Sequence, residues 1–224
     1  MGQGKLAERG KTARDQDAWI CFEDEAGQSL RPPKAGTWSR RGHIPVVTVT
    51  VTVMGSGRVS VAGLICLKPG QRSRLIFRML LYRGRRGEQK GFREVDYARL
   101  LDAAHQQLGG PIVLVWDNLT AHRDAKMRGL IDSRPWLTVF YLPSYAPELN
   151  PAGGVWSHLK RSLGNLAPAT LEQLGALIRT RLKQMQYRSN LLDAFVPHTG
   201  LTVAKGSAMN PFLSTSILRM KRAP

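Results

Sequence analysis

Two short apolar runs that stop abruptly on acids constrain this chain more than any other feature. Ala18–Phe22 (AWICF) breaks at Glu23-Asp24-Glu25, and Pro111–Trp116 (PIVLVW) breaks at Asp117-Asn118. Apolar runs of this length read as strands. Strands with so few polar positions belong inside a sheet that is covered on both faces. Each run therefore predicts a central strand that delivers a carboxylate to its own end. The two strands are expected to be neighbours, although Asp24 and Asp117 stand 93 residues apart in the sequence.

The remaining periodicities build a sheet around that pair. Val46–Met54 alternates valine with threonine and predicts a strand with one buried face. Gly55-Ser56-Gly57 predicts its turn, and Val59–Leu67 the return strand. Ser73–Leu81 predicts a further strand, with Leu75, Phe77, Met79 and Leu81 on one face and Arg72, Arg74 and Arg78 on the other, Ile76 and Leu80 among them. Helical spacing covers Phe92–Leu108, stopped by Gly109-Gly110, and a second helix is expected near Ala121–Ile131. Leu137–Leu142 reads as a strand, and Pro143, Pro147 and Pro151 stiffen the loop that follows. Val155, Trp156, Leu159 and Leu163 mark one helix, and Leu171, Leu174, Ile178, Leu182 and Met185 another. The order predicts an α/β fold, a mixed sheet flanked by helices. Residues 1–17 are expected as a flexible polar lead-in, 18–196 as one domain and 197–224 as a loosely ordered tail.

Charge narrows the partner. Lys and Arg number 33 against 16 Asp and Glu, a formal net charge of +17. An excess of this size favours a polyanion. No basic segment carries the apolar face of a membrane-lying helix, and no run is long enough to span a bilayer, which leaves nucleic acid. From Glu25 to Glu88 no acid interrupts a series that includes Arg40, Arg41, Arg72, Arg74 and Arg78. A stretch of one sign predicts a field facing phosphates. The N-terminus lacks an apolar signal region, so the expected location is cytoplasmic. Cys21 and Cys66 sit in apolar runs and are expected to be buried free thiols.

Two carboxylates brought together repel unless a cation lies between them. Hard divalent ions such as Mg²⁺ are held this way, and a pair of such ions can serve the attacking and leaving oxygens of a phosphodiester. Taken singly, each aspartate could equally cap a turn at a strand end.

Four ordered blocks bear on that choice: FEDEAG, GTWSRRGH, VWDNLTAH and LPSYAPELNPAGGVWSHLK. Over roughly residues 18 to 195 the chain resembles the insertion-sequence 630/mariner family, bacterial transposases of the DDE superfamily with an RNase H-like fold. The resemblance implies metal-dependent DNA strand cleavage and transfer, with two Mg²⁺ (or Mn²⁺) ions, transposon ends and target DNA as partners, and work at the nucleoid. It makes Asp24 the first metal ligand and Asp117 the second. The third ligand in the family is a Glu two residues after the Pro of NP and three before the Trp, and that slot is Gly153 here. Glu148 precedes Pro151 and is a weak substitute; Glu25 is weaker still, because neighbouring strand residues point to opposite faces. The expected outcome is impaired or absent cleavage. The alternative is a catalytically inactive DNA-binding remnant, and a cellular nuclease acting on RNA–DNA hybrids is disfavoured by the YAPELNP block.

The resemblance gives smaller roles to other positions. Asn118 could bond the metal shell or a phosphate, or merely turn the chain. His122 could touch the site or pack at a helix start. Trp38 with Arg40 and Arg41 could meet DNA, and Lys160 and Arg161 could hold its backbone, while Trp156 reads as core. Family members also carry a helix-turn-helix region that recognises the element's ends, and no such pair of helices fits in the 17 residues before the first strand. That leaves a separately encoded helix-turn-helix partner, and a homodimer, as open expectations.

Overall fold

The computed structural model describes residues 13, 15–31, 40–43, 57–118, 122, 124–143, 146–166 and 168–199. The expected strand Val46–Met54, Trp38, most of the lead-in and nearly all of the tail lie outside them. Five strands form one sheet: β1 (Trp19–Ser29), β2 (Arg58–Leu67), β3 (Arg74–Tyr82), β4 (Ile112–Trp116) and β5 (Leu137–Tyr141). Their order is β3-β2-β1-β4-β5. β1 runs antiparallel to β2, and β2 to β3, whereas β4 is parallel to β1 and β5 to β4. The two acid-ended runs are thus neighbours in the centre of the sheet.

Helices cover both faces. On one side α1 (Glu94–Leu108) and α2 (Ala125–Asp132) close over Trp19, Cys21, Leu64, Cys66, Leu114 and Trp116. On the other, α3 (Ala152–Ser162), α4 (Leu171–Gln186) and α5 (Ser189–Phe195) pack on Phe22, Val61, Ile65, Leu75 and Val115. The alternation along β4 and the part of β1 paired with it, Trp19–Phe22, sends successive side chains into these two cores by turns, so both segments need apolar residues at every position. Gly109 takes the left-handed conformation (φ 66°) that ends α1, as glycine readily does. The expected aliphatic face of β3 is present, with Leu75, Phe77, Met79 and Leu81 all against the core of α3 to α5; on the other face Arg74 and Arg78 alternate with Ile76, which is buried under α1 and α2, and Arg72 lies before the strand. Cys21 and Cys66 face each other across the antiparallel pair as buried free thiols.

Three expectations need correction. β1 does not end at Glu23 but continues to Ser29, because β2 goes on pairing with it after β4 has stopped. The second predicted helix starts at Ala125 rather than Ala121, where Asp124 caps it by accepting from the Met127 amide. The chain before residue 18 is not wholly outside the body: Ala13 is buried against Ala18 and Val113. α5 had no counterpart in the sequence reading. It sits against α3 because Gly154 has no side chain: a Cβ there would lie 2.6 Å from Cγ of Phe195.

Candidate active site

The register explains how residues so far apart meet. Phe22 of β1 is level with Val115 of β4. Carried two residues further, that register brings Asp24 level with Asp117, on strands about 4.8 Å apart and on the same face of the sheet. β4 stops at Trp116, so Asp117 leaves at a strand end as expected. Asp24 instead lies within β1, in the part that has lost its β4 partner.

Each aspartate is held. Asp24 Oδ1 accepts from the Glu25 amide at 2.9 Å, and its Oδ2 accepts from the indole Nε1 of Trp156 at 3.1 Å. Trp156 is core by burial, as its helical spacing predicts, but it is also a hydrogen-bond donor to the candidate site. The ring reaches Asp24 across β2 at Gly63, the residue paired with Asp24, where a Cβ would lie 2.8 Å from the indole. Gly63 carries no sequence signal of this kind, since its need is set by a contact nearly a hundred residues away. Asp117 Oδ1 lies 2.5 Å from Nδ1 of His122. The His122 ring is buried, stacked 4.0 Å over Trp116 and edge-on to Tyr97 at 5.1 Å, and Tyr141 donates to its carbonyl at 2.8 Å. Thus His122 touches the site and packs as well. Asn118 follows Asp117, half-buried.

The acids crowd one another. Burial pushes the Asp24 carboxyl above the usual range, and Asp117 pushes it further, against the two donated hydrogen bonds. Glu25 is raised by partial burial and then by Asp117 and Asp24, with His122 opposing. Glu23 is a second surprise. Instead of leaving the core, it is only 2% exposed, with Oε2 accepting from Trp116 Nε1 and Oε1 buried without a partner. Burial, then Glu25 and Asp24, raise it well above the carboxylate range. Four carboxyl groups thus share the β1–β4 junction, three of them resisting ionisation. A divalent cation beside Asp24 and Asp117 would relieve that repulsion, so the donor chemistry fits one. Among the described residues, however, no three His, Cys, Asp or Glu side chains converge into a complete metal cage.

α3 begins beside the pair. Asn150 is buried, donating from Nδ2 to the Glu23 carbonyl at 2.7 Å and accepting from the Ala152 amide at 3.0 Å. One side chain thereby ties the start of α3 to β1, one residue before Asp24. Gly153 lies in that first turn, three residues before Trp156 and so on the same side of the helix. A Cβ built on Gly153 meets nothing within 4 Å. Glu148 is exposed on the turn Pro147–Leu149.

The cations are less uniform than the acid-free stretch implied. Arg74 donates to the Gln107 carbonyl and sits 5.8 Å over Trp19. Arg58 bonds the Lys90 carbonyl, Lys68 pairs with Asp17, and Arg83 pairs with Glu88 and Glu172. Acids from elsewhere in the chain fill the gap in space. Arg40, Arg41, Arg72, Lys160 and Arg161 are exposed, and Arg78 is half-buried on β3.

Residues 19–175 match the sequence model of a family described as DDE superfamily endonuclease. No curated protein matches the chain. Among solved structures, the Mos1 strand transfer complex aligns with a TM-score of 0.57 at 15% identity, over 88% of this chain and 58% of that one. The Mos1 mariner paired-end complex with Mn aligns at 0.57 and 13% identity, over 89% and 60%. The Mos1 transposase paired-end complex with the left transposon end aligns at 0.55 and 14%, over 86% and 59%. The likeness is one of fold, the mixed RNase H-like sheet with its flanking helices, and the chain spans about three-fifths of the length of those transposase chains.

Proposed function

Because the chain belongs to the DDE superfamily of endonucleases, we propose that it is the catalytic domain of a DNA transposase, residues 18–196, whose strand cleavage is impaired at one position. Asp24 and Asp117 are the residues that would hold a divalent cation, Mg²⁺ or Mn²⁺. The observation that carries this reading is their convergence from distant parts of the chain onto one face of the β1–β4 junction, each with its own positioning donor. Such an ion would supply Lewis-acid stabilisation to a phosphodiester oxygen. Trp156 and His122 fix the two carboxylates in place, as outer partners of metal ligands do. Glu23 and Asn150 brace the backbone between them.

The third ligand slot is Gly153. Its surroundings support the assignment: a side chain has room there, on the side of α3 that Trp156 uses to reach Asp24. Without it Asp24 and Asp117 alone would hold a cation, which would weaken the Lewis-acid help it could supply. DNA is the proposed partner. The solved relatives are described as paired-end and strand-transfer complexes, and two copies with a helix-turn-helix unit for end recognition belong to the same reading.

The test is Mg²⁺- or Mn²⁺-dependent nicking of transposon-end duplex by this chain and by Gly153→Glu, with metal titrated calorimetrically into both. Gain of nicking and of metal affinity in Gly153→Glu is the expected result. Equal nicking by both chains would show that no ligand is missing. Nicking by neither, with no metal bound by either, would leave the second reading, a DNA-binding remnant.

A further inference from the structure

Tyr187 is 82% exposed, far more than any other large apolar or aromatic side chain among the described residues. It stands at the C-terminal end of α4, where Arg179 and Lys183 precede it at four-residue steps and Arg188 follows. A four-residue step is about 6 Å along a helix, so the three side chains form one solvent-facing ridge about 12 Å long. Arg179 and Lys183 are like charges at i and i+4, an arrangement that costs a helix stability rather than adding to it. Arg72, exposed and one residue before Ser73, stands near this end of α4. Gln186 donates to the Leu75 carbonyl at 2.7 Å, and Ser73 donates to Asp193, which fixes the end of α4 and α5 beside the start of β3. Among the described residues, none of Arg72, Arg179, Lys183, Tyr187 and Arg188 has its side chain in an ion pair or hydrogen bond.

This ridge is not part of the carboxylate site. α4 lies over β3 and β2, and α3 lies over β1 and β2, between α4 and the junction. Residues 194–224 add no acid and four further cations, Lys205, Arg219, Lys221 and Arg222.

We propose that the Arg72–Arg179–Lys183–Tyr187–Arg188 ridge is a second DNA-binding surface, on which the cations take phosphates and the Tyr187 ring packs against a sugar or base. Charge complementarity selects the occupant: unpaired cations of one sign around an exposed aromatic are what single- and double-stranded DNA surfaces use. The proposal rests on the reading of this chain as a DNA-acting protein and adds where a stretch of DNA is held away from the carboxylates.

The experiment measures affinity for a nonspecific duplex in EDTA, over a range of salt, for the full chain, R179Q/K183Q/R188Q, Tyr187→Ala and Tyr187→Phe. All these positions are exposed, and unchanged melting will confirm folding. The expected result is a triple variant whose salt dependence is shallower by about 0.9 per cation lost. Tyr187→Ala is expected to bind about fivefold more weakly at an unchanged slope, with Tyr187→Phe close to the parent. If the parent binds and the triple variant binds equally with the same slope, the ridge proposal falls, an acidic protein becomes its better occupant, and the DNA reading stands. If the parent binds no DNA, both fall.

Discussion

Where β4 ends beside β1 both carboxylates and their supports are present, whereas at the start of α3 the supports are present without a carboxylate. Asp24 has two donors and Asp117 has His122. Across from them Asn150 fastens α3 to β1, Gly154 admits Phe195, and Trp156 reaches Asp24, yet Gly153 offers only a backbone. The difference separates two things that a site requires. The architecture that places a group is distributed over many contacts, and the fold needs those contacts for its own stability. The reacting group itself is one side chain at a surface position, and the fold is indifferent to it.

If Gly153 is the third ligand slot as proposed, adding a carboxylate there should change chemistry greatly and stability little. Gly153→Glu is expected to raise Mg²⁺-dependent nicking on the order of 10³-fold, since members of a metal-binding unit act together. Its melting temperature without metal should stay within a few degrees of the parent, because the new Cβ meets no neighbour. A large loss of stability instead would mean that the open space is needed for something else. The reverse experiment attacks the support. Asn150→Ala leaves the Glu23 carbonyl and the Ala152 amide buried without their partner, at a cost of about 3 kcal/mol. Thermal unfolding should then fall by about 6–12 °C.

The sequence makes the strand-borne half far more legible than the helix-borne half. Asp24 and Asp117 are readable because each ends an apolar run, and a run of that kind predicts both a strand and the place where its side chains leave the core. The neighbouring of β1 and β4 follows from the same pattern. The continuation of β1 to Ser29 does not, because it depends on β2 pairing alone, and FEDEAGQ shows no alternation to announce it. Glu23 reads as solvent-facing for the same reason, whereas its burial comes from Trp116 and the helices behind it. Gly63 and Gly154 are silent because the neighbours that require them, Trp156 and Phe195, are distant in the chain. α5, at seven residues, is too short for a helical period to register.

Gly154→Ala tests the support from its other side, with a smaller effect. The new methyl would overlap the Phe195 ring, and overpacking of this sort costs about 1–3 kcal/mol. Replacing glycine in a helix returns up to about 1 kcal/mol. A net loss of about 1 kcal/mol is expected in denaturant unfolding, with α5 displaced and its amides exchanging faster. An unchanged midpoint would mean that α5 does not hold the start of α3.

The smallest expected effect concerns the acids themselves. Glu23, Asp24 and Glu25 all hold their protons more tightly folded than unfolded, with burial the leading cause in each. Below their unfolded values of about 4, both states are protonated and the contribution of these groups is fully present. As pH rises through the raised folded values the folded state gives up protons it holds against burial and neighbouring charge, so stability falls across that window. Glu23→Gln removes the most buried of the three charges and keeps an acceptor for Trp116. Its melting temperature should exceed the parent's by a few degrees at neutral pH and match it near pH 4, so the parent's downward slope flattens. Mg²⁺ should raise the parent at neutral pH, since a cation at Asp24 and Asp117 opposes the same repulsion. If Glu23→Gln instead lowers stability equally at both pH values, the buried carboxyl acts through shape and hydrogen bonding, and the charge crowd at the β1–β4 junction is not what costs the metal-free fold.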